Sequence, residues 1–249
     1  MRVRCRENHG VKLEAIMEKI IVIGGRGTGL LIGEQIYDAQ MRGAKVEFLG
    51  FAFDDPTFGE TINDFPLLCG TREVFNKFGQ YEDIKFIFQM WRSDVIEERI
   101  KWRDWYGIPE ERYATFVHPT ATVLRSAKLG HGTVVLANSV INSNVVIGNH
   151  VTINSGTLIG HDTIVGDNCF FAAHCAIGSN VLIGEGSFFG LQSSVKNYTQ
   201  NGNYIYVGMG SNVIKSVPDR AMVYGNPAKQ VERKFNPHGG NKCETTRDR

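Results

Sequence analysis

The stretch at residues 147–171, IGNHVTINSGTLIGHDTIVGDNCFF, repeats a unit of six residues. Each unit opens on a large apolar side chain and carries a small or β-branched residue four positions later. Counted in steps of six from Val117 to Val213, sixteen of seventeen first positions are apolar, and only Asn201 interrupts the series. A period of six matches neither the helical repeat of about 3.6 nor the alternation of a plain strand. It indicates a solenoid with flat faces, one hexad to each face.

Glycine follows the apolar position at nine places between Gly130 and Gly208, where a solenoid would turn its corners. Glycine tolerates the unusual backbone angles of such a corner. A β-sandwich would instead need turn signals every eight to twelve residues or so and would not keep one phase. The pattern therefore predicts parallel strands stacked coil on coil. It resembles the hexapeptide repeat of the left-handed parallel β-helix from Val117 to Val217, and this resemblance implies the left-handed sense.

The first half of the chain has the pattern of a βαβ unit. An apolar run at 19–23 ends in the turn GGRGTG at 24–29, an amphipathic segment follows at 30–41, and a second apolar run occupies 46–51. Such a turn places backbone N–H groups at a helix N-terminus, where phosphate groups bind. The glycines do not spell G-x-G-x-x-G in any register, so the dinucleotide fingerprint is absent. We also expect a strand at Ile84–Phe88 and a helix at 93–106.

Together these patterns predict an α/β N-terminal Rossmann-like domain followed by an all-β left-handed parallel β-helix. The predicted boundaries are a flexible extension at 1–16, the Rossmann-like domain at 17–113, the β-helix at 114–235 and a flexible tail at 236–249. Residues 1–16 show no apolar periodicity, so we expect a chain that starts at Met17 to fold.

Composition narrows the classes of function. In 249 residues, 27 lysines and arginines balance 26 acidic residues, so no nucleic-acid footprint is expected. The apolar runs are too short to cross a bilayer, and the basic start lacks the apolar segment of a signal peptide. The five cysteines form no C-x-x-C pair and are interpreted as reduced thiols. We expect a cytoplasmic protein without membrane insertion and without a bound metal.

The segment INSGTLIGHD at 153–162 carries the predicted chemistry. It closely resembles a segment of the sugar O- and N-acetyltransferases of the sialic acid and bacillosamine pathways, which are hexapeptide-repeat acyltransferases. The resemblance implies that His161 is a general base, that Asp162 orients its imidazole, and that Asn154 makes a supporting or substrate contact. A carboxylate beside an imidazole stabilises the protonated ring and so strengthens it as a base.

Each of these three residues has a plain structural alternative: a solvated corner histidine, a turn-forming aspartate and a corner asparagine. His174 is a rival histidine on the coils, at a position where the relatives more often carry a small residue. We interpret His174 as a packing or interface residue. Some relatives place a histidine at the position of Phe170, near the acetyl group, and this chain does not.

The resemblance also implies acetyl-CoA as co-substrate, bound in the groove between two subunits of a homotrimer. The residues that match the family's pantetheine groove and its closing G-x-P-A-K segment, here GNPAK at 225–229, are Gly190, Leu191, Gly208 and Lys229. Glycine lets the coil backbone approach the cofactor arm, and a lysine suits a CoA phosphate. The alternative for each glycine is corner geometry alone. We expect Gly190, Gly208 and His161 to line one exposed face.

Six residues of the first half match the family's uridine-nucleotide site, in which loop amides contact phosphate and a carboxylate contacts the base. They are Gly24, Arg26, Gly27, Thr28, Asp54 and Asp55. The alternative is a βαβ unit retained for structure alone. The family's second nucleotide segment, usually Gly-Asn or Gly-Asp after the third strand, reads FQMWR at 88–92 here.

These observations predict acetyl transfer from acetyl-CoA to an amino group of a nucleotide-linked sugar. The expected transfer is direct, because no cysteine or serine adjoins His161 as a nucleophile. One alternative is transfer to a sugar hydroxyl, which the same base would serve. Another is a non-catalytic β-helix binding or scaffold protein.

Overall fold

The computed structural model describes residues 17–231. The predicted extension at 1–16 and the predicted tail at 236–249 therefore lie outside the described residues. Within 17–231, no helix has the length and apolar content that crossing a membrane requires.

The N-terminal region folds as a sheet with helices on its faces. Its elements are β1 (Glu18–Ile23), α1 (Thr28–Met41), β2 (Val46–Ala52), β3 (Thr61–Ile62), β4 (Phe65–Cys69), α2 (Val74–Phe78), β5 (Ile84–Phe88) and α3 (Ile96–Trp105), with short 3₁₀ turns at Pro56–Phe58, Thr71–Glu73 and Glu110–Arg112.

The sheet has the strand order β3-β4-β2-β1-β5. Strand β1 pairs in parallel with both β2 and β5, so the predicted βαβ unit and third strand are confirmed. The predicted helix at 93–106 is confirmed with shorter bounds. The β3–β4 hairpin was not predicted, because its two strands are short and its turn at Asn63 and Asp64 lacks glycine or proline. The order of the strands reverses between β1 and β5, where open α/β sheets commonly bind ligands.

The second region is a triangular parallel β-helix, which fits the left-handed parallel β-helix expected from the sequence. Its first face contains β6 (Phe116–Val117), β9 (Val134–Val135), β12 (Thr152–Ile153), β15 (Phe170–Phe171), β18 (Phe188–Phe189), β21 (Tyr206–Val207), β23 (Met222–Tyr224) and β24 (Lys229–Val231). Its second face contains β7 (Thr122–Val123), β10 (Val140–Ile141), β13 (Leu158–Ile159), β16 (Ala176–Ile177), β19 (Ser194–Val195) and β22 (Asn212–Val213). Its third face contains β8 (Lys128–Leu129), β11 (Val146–Ile147), β14 (Ile164–Val165), β17 (Leu182–Ile183) and β20 (Gln200–Asn201).

Each coil passes three corners. In the coil that starts at β12, the first corner spans 154–157, the second corner spans 160–163 after β13, and the third corner spans 166–169 after β14. Each strand pairs with the strand one coil later, as Ile153 does with Phe171. Residues at one corner of successive coils therefore form a column along the helix axis.

The predicted apolar series fills the interior of the β-helix. From Val135 to Val213 its side chains are buried, and Phe171 stacks on Phe189 with ring centroids 4.8 Å apart. Val117 at the start of the series is exposed, because no earlier coil covers it. Asn201 is buried, and its amide nitrogen donates to Thr199 Oγ1 at 3.1 Å and to the Leu182 carbonyl at 3.3 Å. The amide nitrogen of the residue that breaks the pattern thus bonds to its own coil and to the coil before it.

Helix α1 joins the two regions. Its apolar side packs in one core cluster with Phe116, Val134 and Leu136 of the first face. Polar contacts frame that cluster: the amide of Gln35 donates to Ser155 Oγ at 3.1 Å, and its oxygen accepts from the Ala137 N–H at 2.9 Å. The N-terminal sheet is therefore held against the first face and first corner of the β-helix.

Candidate active site

The second corner presents His161 with its ring held by the next residue. Nδ1 of His161 lies 2.6 Å from Oδ2 of Asp162, and the other carboxylate oxygen accepts from Asn144 Nδ2 at 2.9 Å. These two hydrogen bonds lower the pKa of Asp162, so the carboxylate is the ionised acceptor. Nδ1 of His161 therefore carries the proton, and the lone pair lies on Nε2. The His161 side chain is 55% exposed, so Nε2 is open to an incoming group.

Local structure explains this geometry. Asp162 adopts a left-handed backbone with φ 57°, as does Asn144 at the same corner one coil earlier with φ 59°. Aspartate and asparagine tolerate that region better than other non-glycine residues. Asn144 and Asp162 are neighbours in the column of this corner, and the hydrogen bond from the Asn144 amide holds the Asp162 carboxylate toward the imidazole. Asn144 was not predicted, although a coil of three hexads places it eighteen residues before Asp162.

Asn154 is not brought to this pair. It lies at the first corner, its side chain is buried, and its amide nitrogen donates to the Phe171 carbonyl at 2.8 Å. Its backbone carbonyl accepts from Ser139 Oγ at 3.0 Å. The hydrogen bonds of Asn154 thus connect its coil with the coils before and after it.

Three of the residues predicted for the cofactor, Gly190, Leu191 and Gly208, lie at the first corner of the last coils, whereas Lys229 begins β24 on the first face. Gly190 and Gly208 occupy equivalent corner positions one coil apart, and Leu191 beside them is exposed. Residues 225–228 of the GNPAK segment pass the same corner, where Ala228 N–H donates to the Asn212 carbonyl at 2.8 Å. A methyl group on Gly208 would lie 2.0 Å from Cδ1 of Tyr224, so this glycine is required by the tyrosine ring that covers it.

The expectation that Gly190, Gly208 and His161 line one face is wrong for a single chain. The two glycines lie at the first corner and His161 at the second corner, with the strands of the second face between them. The physical reason is that one coil of three hexads contains eighteen residues. Position 208 comes eighteen residues after position 190, so the two glycines share a corner, whereas position 161 is not separated from either by a multiple of eighteen. One chain therefore separates the imidazole from the predicted cofactor residues.

The six residues predicted for a nucleotide divide into two groups. Gly24, Arg26, Gly27 and Thr28 lie between β1 and the first turn of α1, and Arg26 forms an ion pair with Asp55. Asp55 also accepts from the Thr57 N–H at 3.0 Å and from Thr57 Oγ1 at 2.6 Å, and these bonds lower its pKa. Its carboxylate thus caps the turn at Pro56–Phe58.

Asp54 instead lines a pocket of about 490 Å³ at the carboxyl ends of β2, β4 and β5. The other lining residues are Phe53, Thr71, Arg72, Met90, Trp102, Trp105 and Tyr106. Oδ1 of Asp54 accepts from the Thr71 N–H at 3.0 Å, and the guanidinium of Arg72 lies 5.4 Å from the centre of the Trp105 ring. The pocket combines one anion, one cation and several flat aromatic walls.

The aromatic walls of this pocket were not predicted. The helix that carries Trp102, Trp105 and Tyr106 was expected, but its role in a pocket depends on how α3 packs across the sheet edge. The segment FQMWR at 88–92, which differs from the family's usual Gly-Asn or Gly-Asp, accounts for the position of Met90. Gln89 and Trp91 on either side of it bond to the β-helix, and Met90 between them lines the pocket.

Comparison with known proteins agrees with this architecture. The family model described as bacterial transferase hexapeptide (six repeats) matches residues 126–161 and 144–178. Comparison with curated proteins gives no sequence match. The acetyltransferase domain of PglB from Neisseria gonorrhoeae is 26% identical, with a TM-score of 0.73, over 86% of this chain and all of that domain.

Two further solved structures share the fold over nearly their whole length. PerB from Caulobacter crescentus, in complex with CoA and GDP-perosamine, is 24% identical with a TM-score of 0.72, over 87% of this chain and 98% of that one. WeeI from Acinetobacter baumannii is 24% identical with a TM-score of 0.72, over 86% of this chain and 100% of that one.

The fold and the repeat define this chain as an acyltransferase of the hexapeptide-repeat class. Its similarity to the acetyltransferase domain of PglB agrees with the resemblance of its 153–162 segment to the sugar acetyltransferases.

Proposed function

We propose that the chain transfers the acetyl group of acetyl-CoA to an amino group of a nucleotide-linked amino sugar, with His161 as general base. The observation that carries this proposal is the hydrogen-bonded series Asn144, Asp162 and His161, which ends in an exposed Nε2 lone pair. PglB was solved with acetyl coenzyme A and PerB with CoA and GDP-perosamine, which supports these substrate classes.

The proposed reaction follows from the orientation of the ring. The neutral amine of the sugar attacks the thioester carbonyl, and Nε2 of His161 accepts the proton that the nitrogen loses. The tetrahedral intermediate collapses with cleavage of the C–S bond, and the thiolate of CoA takes up a proton as it leaves. Asp162 remains ionised and stabilises the imidazolium that forms, while its bond to Nδ1 holds the ring in place.

A homotrimer would complete the site, because one chain keeps the base and the predicted cofactor residues on different corners. Apolar side chains flank the second corner on both adjacent faces and are exposed in the single chain: Leu158 on the second face, and Val146, Ile164 and Leu182 on the third. A second copy packed there would cover them and bring its own first corner to His161. Light scattering at micromolar concentration should give the trimer mass. A fully active monomer would contradict this.

The proposed anchor for the nucleotide is the Asp54 pocket in the Rossmann-like domain. Flat aromatic rings stack on the faces of any nucleobase, and a carboxylate and a guanidinium offer an acceptor and donors to its edge. The pocket lies beside the point where the strand order reverses, the usual ligand crevice of such sheets.

Release of free thiol from acetyl-CoA, measured with UDP-, GDP- and dTDP-linked amino sugars, tests the function. We expect thiol release that depends on one of these acceptors and saturates with it. Release only with the corresponding hydroxyl sugars would favour O-acetylation. Absence of release with either class would favour the non-catalytic alternative.

A further inference from the structure

The walls of the Asp54 pocket come from two segments that are separate in sequence. Met90 belongs to the connection between β5 and α3. Trp102 and Trp105 belong to the end of α3, and Tyr106 directly follows that helix. Trp105 is 65% exposed, and Tyr106 packs on Phe88 with ring centroids 6.1 Å apart. Contacts outside the pocket also position these two segments.

Both segments bond to a single residue of the β-helix, Asn168. Its backbone carbonyl accepts from Trp91 Nε1 at 2.8 Å, and Trp91 directly follows Met90. Its side-chain Oδ1 accepts from Arg103 Nη1 at 2.7 Å, and Arg103 directly follows Trp102. Asn168 is 8% exposed, and the Arg103 side chain is 12% exposed. A hydrogen bond from a buried charged group is among the stronger ones in a protein.

Neighbouring contacts fasten the first segment further. The Trp91 ring stacks on Phe170 with centroids 4.8 Å apart, and Oε1 of Gln89 accepts from Thr152 Oγ1 at 2.7 Å. Met90 therefore lies between two residues that are tied to the first face. Helix α3 also forms an ion pair with the β-helix, between Glu97 and Arg220, and both side chains of this pair are more than half exposed. Such an exposed pair contributes little to positioning.

From this convergence we infer that Asn168 is a positioning residue for the nucleotide pocket, acting through Trp91 and Arg103. The inference rests on the proposed function, in which this pocket holds the base of the nucleotide-linked sugar. Asn168 sits at the third corner with a left-handed backbone, φ 58°, a conformation that asparagine and glycine adopt readily. The β-helix thus sets the shape of a pocket that lies in the other domain.

Substitutions at position 168 separate the two bonds. Asn168→Gly keeps the left-handed backbone and the carbonyl that Trp91 uses, but removes the acceptor for Arg103. We expect the KM for the nucleotide sugar to rise roughly tenfold, the factor that corresponds to about 1.4 kcal/mol. The kcat and the KM for acetyl-CoA should stay within about twofold. Asn168→Asp retains an oxygen for Arg103 and should restore a KM close to that of the natural chain.

Two further variants test the Arg103–Asn168 bond from its other end and control for the change from asparagine to glycine. Arg103→Met removes the same bond from the α3 side, and combined with Asn168→Gly it should add little further effect, because both changes remove one interaction. Asn138→Gly is the matched control, since Asn138 is an exposed corner asparagine with φ 60° at the first corner. This control should leave the KM for the nucleotide sugar and the affinity for free nucleotide unchanged.

Binding of UDP and GDP, measured by calorimetry without turnover, separates this inference from the proposed function. Weaker nucleotide binding by Asn168→Gly supports the inference even where no amino sugar is acetylated. An unchanged KM and unchanged nucleotide affinity in Asn168→Gly, with only a lower Tm, would overturn it. Failure of the natural chain to bind either nucleotide at millimolar concentration would overturn the pocket's ligand and this inference together.

Discussion

His161 and His174 are exposed at different corners of the β-helix, and they differ in what holds the ring. At the second corner, His161 is bonded through Nδ1 to Asp162, which is itself bonded to Asn144. At the first corner, His174 adopts the left-handed backbone itself, with φ 60°, and its ring lies against Gly156 one coil earlier. The structure shows no carboxylate bonded to His174 among residues 17–231. An exposed imidazole becomes a candidate base only where a neighbour fixes its tautomer and stabilises its charge.

His150 extends the comparison to a buried ring. Like His174 it has a left-handed backbone, and its ring lies against a glycine one coil earlier, Gly132. It differs because the N-terminal region covers it: Tyr113 packs edge-on at 4.6 Å, and Glu110 Oε1 lies 2.9 Å from Nε2 without a hydrogen bond in the structure. Burial lowers the pKa of His150 to about 3. A histidine with the same left-handed backbone is thus buried and neutral at one corner and solvated at another, depending on which residues cover it.

The largest expected effect is at the second corner. His161→Ala should lower turnover by roughly two to four powers of ten, the usual contribution of a positioned general base. The affinity for acetyl-CoA should stay nearly unchanged, because the base meets the attacking amine and not the cofactor arm. Steady-state kinetics with the best acceptor of the nucleotide-sugar panel measure both quantities.

The matched variant is His174→Ala, which removes an exposed histidine at the first corner. If His174→Ala were inactive but folded while His161→Ala kept natural turnover, the base would lie at the first corner and the proposed chemistry would be wrong.

The second effect is a dependence of stability on pH at His150. Its folded pKa lies below the ordinary value, so between about pH 6.5 and pH 3 the unfolded chain binds a proton that the folded chain does not. The contribution of His150 is therefore fully present above pH 6.5 and is lost as the pH falls, by about 1.4 kcal/mol per pH unit. His150→Asn, which suits the left-handed backbone, should show a shallower loss. Urea unfolding at pH 7 and pH 5 compares the two chains.

Glu110, Arg103 and His131 face the same ring, and burial raises the pKa of Glu110. The variant Glu110→Gln therefore serves as the control for titration of that neighbour. Identical pH slopes in the natural chain and in His150→Asn would show that the imidazole is not the group responsible.

A smaller effect is expected at Asp162. Asp162→Asn keeps the shape of the corner but removes the negative charge that faces the imidazolium. Because the pair is solvated, we expect a loss of turnover on the order of tenfold, well below that of His161→Ala. The loss of turnover is measured from the pH–rate profile of the variant at a saturating concentration of the acceptor. Turnover as low as that of His161→Ala would contradict the supporting role proposed for the carboxylate.

The smallest effect concerns the backbone of the first corner. An alanine at position 174 must adopt a left-handed backbone, which costs roughly 1–2 kcal/mol for a residue with a Cβ atom. His174→Gly avoids this cost and should be more stable than His174→Ala by about 1 kcal/mol, with turnover similar in both. Thermal unfolding of the two variants measures the difference. Equal Tm values would mean that the ring, rather than the backbone, determines stability at this corner.

The hexad series predicted the β-helix almost residue by residue, since the interior position recurs with a period that a flat-faced coil imposes on the chain itself. The βαβ unit and β5 were equally visible, because apolar runs and a glycine turn are local signals. The site was predicted only in part. His161 and Asp162 are neighbours in sequence and their contact was expected, whereas Asn144 needed the coil period to connect it with Asp162.

The repeat, the class of fold and the adjacent pair at the second corner could all be predicted from the sequence, because each depends on spacing along the chain. Long-range packing sets which residues share a column and which histidine is buried, and it brings Asn168 to Trp91 and Arg103 beside the pocket of the other domain. These contacts join residues one coil apart or more than sixty positions apart. They arise from coil stacking and from the docking of the N-terminal sheet on the first face, and no local pattern encodes either.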